Sequence, residues 1–119
     1  MSLGMRLVLL DRSNLAQTAS LSALEELGEL AVYEKTEPLE AFNRLKRCDV
    51  LLTVEVPVGR ALLDWAPRLR QVVVLSARGD LIDTRAAADL GVTVTLLGNP
   101  ESLIEEAAGA IREALGGSR

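Results

Sequence analysis

Leu69–Leu97 reads LRQVVVLSARGDLIDTRAAADLGVTVTLL, and its pattern changes three times along the way. The run Val72–Leu75 is apolar without polar alternation, as expected of a strand covered on both faces. A polar loop follows, and then Asp83 opens the alanine-rich stretch DTRAAADLG, its carboxylate placed to cap free N–H groups and Gly91 placed to end the helix. Val92–Leu97 (VTVTLL) resumes β-branched character. Strand, helix and strand in this order predict a parallel pair, because a helical crossover is the economical link between neighbouring parallel strands.

The same alternation repeats upstream. Met5–Leu10 (MRLVLL) reads as a buried strand, and Leu21–Leu27 as a helix with the stripe Leu21, Leu24 and Leu27, capped by Gly28. Leu30–Glu34 is a second strand. Glu37–Cys48 is a helix with Pro38 in its first turn and an apolar stripe of Leu39, Phe42 and Leu45. Asp49–Thr53 is a third strand, Pro57–Trp65 a short helix closed by Ala66-Pro67, and Leu69–Ser76 the fourth strand. Beyond the fifth strand, Pro100 starts a helix to about Leu115, and Gly116–Arg119 reads as a frayed tail. Met1–Gly4 precede a second methionine, Met5, and are left out of the fold reading. The expectation is an α/β protein of one domain over residues 1–119, with a flavodoxin-like, three-layer, doubly wound parallel five-stranded sheet of order 2-1-3-4-5.

Composition narrows the function classes. Apolar residues make up 49% and charged residues 25%, which separates the chain from disordered sequences. Seventeen acidic against 13 basic residues give a net charge of −4, with no Lys/Arg run to track phosphates, so nucleic-acid binding is disfavoured. The single Cys48 cannot form an internal disulfide. No secretory signal and no apolar run of membrane-spanning length is visible, so a cytoplasmic, non-membrane protein is expected.

In sheets of this order ligands bind beyond the carboxyl ends of the strands, near the point where strand order reverses. That edge gathers Asp11 to Asn14 after the first strand, Val54 to Val56 after the third, Arg78 to Asp80 after the fourth, and Gly98 and Asn99 after the fifth. The candidate anion-binding residues are Arg12, Ser13, Glu55, Ser76, Arg78, Gly79, Asp80 and Asn99. A phosphate-accepting receiver domain shares the topology. It needs paired acids after strand one, an Asp after strand three and a Lys after strand five, where this chain has Asp11-Arg12, Thr53-Val54 and Gly98-Asn99.

Three stretches, LVLLDRSNL, LGELAVYEKTEPLEAFNRLKRCDVLLT and VPVGRALLDWAPRLRQVVVLSARGDLIDTRAAADLGVTVT, together resemble the substrate domain of D-2-hydroxyacid dehydrogenases. The likeness runs over about Met5 to Glu106 and is strongest to the glycerate and phosphoglycerate branch. It implies NAD-dependent oxidation of a 2-hydroxy acid, with the cofactor and the catalytic Arg, Glu and His supplied by a following Rossmann domain. The departures sit at the ligand edge. Where many members of that branch have Asn-Lys-Val after strand three, this chain has Val54-Glu55-Val56, and where they have Thr-Gly after strand four it has Ala77-Arg78, with the glycine displaced to Gly79. A carboxylate at Glu55 would repel a substrate carboxylate.

The chain contains no histidine, and none of its nine glycines begins a G-x-G, so it offers no catalytic, metal-binding or cofactor-binding residue; NAD is implied only by the resemblance. Cys48 reads as a packing residue despite Lys46 and Arg47 nearby. Leu103, Ala107, Ile111, Ala114 and Leu115 form one stripe on the last helix, with Glu105, Glu106, Arg112 and Glu113 outside it, which suits a stand-alone domain.

The leading expectation is a stand-alone, non-catalytic relative of the substrate domain that binds a small anionic ligand or a protein partner at the strand-end edge. The alternative is one half of a split NAD-dependent 2-hydroxyacid dehydrogenase of phosphoglycerate type, partnered by a separate cofactor domain. Leu62, Leu63 and Trp65 on a short helix suggest exposed apolar surface, and homodimerisation through the flanks of the edge strands is left open.

Overall fold

A computed structural model describes residues 5–76, 78–98 and 103–116. Five four-residue strands, β1 (Arg6–Leu9), β2 (Glu29–Val32), β3 (Val50–Thr53), β4 (Gln71–Val74) and β5 (Thr93–Leu96), form one sheet of order β2-β1-β3-β4-β5. Every neighbouring pair is parallel. The helices are α1 (Ser22–Glu25), α2 (Pro38–Arg44), α3 (Arg60–Trp65), α4 (Thr84–Asp89) and α5 (Leu103–Gly116).

The period-two alternation of strand side chains divides the core in two. Val8, Leu51, Val72 and Val74 point to the side covered by α2, α3 and α4, where they meet Ala41, Leu45, Leu62, Leu63, Ala86 and Ala87. Leu7, Leu9, Leu52 and Val73 point to the other side and meet Leu24 and Leu27 at α1 and Ile104, Ala107, Ala108 and Ile111 on α5. Central strands β3 and β4 are buried throughout, whereas the edge strands β2 and β5 are half-buried at their two central residues and exposed at both ends. The doubly wound sheet of the predicted order is thus present, with helices on both faces.

Local details refine the expected elements. The helix at 21–27 is a single α-turn flanked by tighter bonds, Leu24 N–H to Leu21 O and Leu27 N–H to Leu24 O, both 3.0 Å. Gly28 is not a left-handed cap. It is a point of close approach, where a Cβ would lie on the Met5 carbonyl oxygen as β2 enters the sheet. Gly91 does take the left-handed conformation, at φ 73°, and the bonds Val92 N–H to Ala87 O and Gly91 N–H to Ala88 O complete a Schellman ending for α4. At the other end Asp83 Oδ1 accepts from the Ala86 N–H at 2.9 Å. Helix α3 starts three residues later than Pro57, because Val58 is drawn into a bridge with Ile82.

Two apolar readings are corrected. Leu39 is 83% exposed, and α2 anchors itself through Ala41 and Leu45 instead. Leu62 and Leu63 are buried; of these three side chains Trp65 alone remains half-exposed, edge-on to Phe42 and donating its indole N–H to the Phe42 carbonyl at 2.7 Å.

Candidate functional site

The chain leaves β1 toward β2 on one side while β3 lies on the other, so the reversal of strand order falls between the ends of β1 and β3. Asp11 fills that point. Its carboxylate is buried, accepting the Val54 N–H on Oδ1 at 2.9 Å, and the Glu55 N–H and the Asn14 side-chain amide on Oδ2, each at 2.7 Å. Thr53, also buried, pins the same loop: its Oγ1 accepts the Val56 N–H and donates to the Val56 carbonyl, both at 2.9 Å. Neither Asp11 nor Thr53 was among the candidate binding residues. The signal was present in LVLLD and DVLLT, two apolar runs that each end on a polar side chain at the carboxyl edge.

With its backbone fixed, Glu55 turns its side chain outward to Arg78. Arg78 Nη1 lies 2.8 Å from Glu55 Oε1, and Nη2 lies 3.0 Å from Asp80 Oδ2, with all three side chains substantially exposed. The guanidinium holds the Asp80 carboxyl below its ordinary value. The two carboxylates, Asp80 more than Glu55, raise the Arg78 pKa in turn. The Arg78 N–H donates to Ser76 Oγ at 3.2 Å. Gly79 begins a 3-10 turn, Gly79–Leu81, against the Leu96 side chain.

The structure therefore brings Glu55, Ser76, Arg78, Gly79 and Asp80 together over β3 and β4, and gives Arg12 and Ser13 a different task. The Arg12 guanidinium donates to the carbonyls of Ala16, Gln17 and Ala19 at 3.1 to 3.3 Å, bracing the loop toward α1. Ser13 donates its N–H and its hydroxyl to the Glu34 carbonyl beyond β2. Asn99 lies outside the described residues. An open groove of about 540 Å³ runs beside Asp11, walled by Asn14, Ala16, Thr18 and Ser20 on one side and by Val54, Leu75, Ile104 and Glu105 on the other.

Dinucleotide chemistry does not fit this edge. The loop after β1 presents Asp11-Arg12-Ser13-Asn14, with no glycine to let a pyrophosphate approach the backbone, and its carboxylate occupies the N–H groups of the neighbouring loop. Among the described residues no group of three or more His, Cys, Asp or Glu could hold a metal ion, and no helix is long and apolar enough to cross a membrane. Cys48 is fully buried near the opposite end of the sheet, where desolvation, reinforced by Asp49, pushes its thiol up to about 12.

A parallel sheet of this order, with helices on both faces, defines a doubly wound α/β domain. The model of the D-isomer specific 2-hydroxyacid dehydrogenase catalytic domain matches residues 8–111, and the chain belongs to that family. A hydroxypyruvate reductase of Blautia hydrogenotrophica is 31% identical over 74 residues, which cover 60% of this chain and 23% of that protein. The chain therefore spans about a quarter of that relative. Among solved structures, the NAD+-bound 3-phosphoglycerate dehydrogenase of Entamoeba histolytica superposes with a TM-score of 0.70 at 17% identity, over 78% of this chain and 32% of that one. The apo D-lactate dehydrogenase of Escherichia coli gives 0.63 at 19%, over 92% and 37%. At those identities the two structures establish a shared fold.

Proposed function

We propose that this chain by itself is a binding domain without catalytic turnover, and that its strand-end edge receives a protein partner in preference to a small anion. One observation carries the reading: the N–H groups of Val54, Glu55 and Arg78 and the Arg78 guanidinium are already engaged. The N–H groups of Val54 and Glu55 go to Asp11, that of Arg78 goes to Ser76, and the Arg78 guanidinium lies between two carboxylates. A small carboxylate entering here must displace one of these acceptors while approaching Glu55 and Asp80, which carry its own sign. A protein surface can instead add bonds to the exposed sides of Glu55, Arg78 and Asp80 and cover the adjoining groove.

Family membership supports a second reading, in which the chain is the substrate half of an NAD-dependent 2-hydroxyacid dehydrogenase completed by a cofactor domain. Calorimetric titration with hydroxypyruvate and with phosphate, alongside an NADH-oxidation assay, separates these readings. No heat and no oxidation are expected from the chain alone; turnover by the chain alone overturns the proposal. Oxidation that appears only when the nicotinamide-binding domain of a relative is added establishes the second reading.

A further inference from the structure

The free edge of β5 carries a pairing surface that the strand-end reading does not use. Thr93 donates its N–H to Arg70 O and Leu97 donates to Val74 O, both at 2.9 Å. Main-chain groups alternate sides along a strand, so Thr93, Thr95 and Leu97 face β4, while the N–H and C=O of Val94 and Leu96 turn outward. Sheet edges of monomers are commonly blunted by charge, proline or a bulge. None of these is present at β5. From Leu90 to Gly98 (LGVTVTLLG) there is no charged residue and no proline, and Leu90 and Leu96 are each nearly half exposed. The opposite edge differs: β2 begins at Glu29, which is ion-paired to Arg6, and is followed by Glu34 and Lys35.

We propose that β5 pairs antiparallel with β5 of a second copy of this chain. A two-fold axis at Thr95 sets Val94 opposite Leu96 of the second copy. The outward N–H and C=O groups of each pair are then exchanged, and the two Thr95 side chains meet across the axis as a favourable cross-strand pair. Because the stretch is uncharged, two chains of net charge −4 come together along it without a local like-charge contact. On β2 the outward pair is Leu30 and Val32, flanked in each copy by Glu29 and Glu34, so pairing there would bring the carboxylates of both copies alongside one another and self-pairing selects the β5 edge.

Sedimentation at a low and a high loading concentration tests this, together with amide exchange. A doubling of the sedimenting mass is expected at the higher concentration, with slowed exchange at Val94 and Leu96. Val94→Pro removes an outward N–H, and Leu96→Lys places a charge on the edge. Both are expected to abolish the dimer while leaving the far-UV circular dichroism of the monomer unchanged, whereas Val32→Lys on β2 leaves the dimer intact. A chain that stays monomeric at both concentrations overturns the proposal. So does a dimer that survives Leu96→Lys, a substitution on an exposed side chain that tests the edge even if Val94→Pro fails to fold.

Discussion

The carboxylate of Asp11 accepts the backbone N–H of Glu55, forty-four positions further along the chain, at 2.7 Å. With the companion bond from Val54, it locks the loop after β3 to the end of β1 across the point where strand order reverses. Asp11→Ala would leave two N–H groups without their acceptor in a site with little access to water. The expected loss is about 3 kcal/mol of unfolding free energy, read from urea denaturation. Asp11→Asn, which retains one acceptor oxygen, should lose roughly half as much.

The Asp80 carboxyl should titrate below its ordinary value of 3.8 in the native chain, followed by NMR of its side-chain carbon. The sign follows from linkage. A carboxylate whose folded pKa is depressed adds stability that is present above the unfolded pKa and is lost as pH falls through the folded one. Arg78→Met removes the cation that lowers it, so the Asp80 midpoint should return upward.

Cys48 should resist thiol reagents at pH 8 while the chain is folded and react at once in denaturant, because its thiolate is strongly disfavoured by burial. A thiol raised from 9.0 to about 12 also makes stability fall as pH rises across that interval, since the unfolded chain releases this proton first. In Cys48→Ala that alkaline contribution should vanish, measured as a flatter dependence of the urea midpoint on pH.

Leu39 and Leu45 lie on the same predicted stripe of α2 and should respond oppositely to truncation. Leu45 is fully buried against the sheet, and Leu45→Ala is expected to cost about 2–5 kcal/mol. Leu39 is 83% exposed, and Leu39→Ala should stay within about 0.5 kcal/mol of the parent. Thermal melts of the two variants make the comparison directly.

What could be read in advance follows the range of the forces involved. Strand order was legible because apolar runs such as LVLL and VVVL report burial on both faces, and the Asp83 cap and the Gly91 ending act within a few residues of themselves. The bonds from Val54 and Glu55 to Asp11 were not, since nothing local in DRSN records which distant N–H groups its carboxylate meets. Leu39 was misplaced for a related reason. Helical spacing allows either Leu39 or Ala41 to join Leu45 on the buried face, and the docking angle of α2 on the sheet selects Ala41. Arg12 was expected to meet an anion, and it is the carbonyls of the following loop that absorb its guanidinium.

Helix α1 is one turn long, so Leu24 and Leu27 cover only part of the face that carries Leu7 and Leu9, and α5, about a hundred positions later, completes its seal from water. During synthesis that face stays open until nearly all of these residues have emerged, and the sheet cannot mature strand by strand. Assembly of this layer should therefore be late and all-or-none, with a rate set by the search that brings β1 and α5 together.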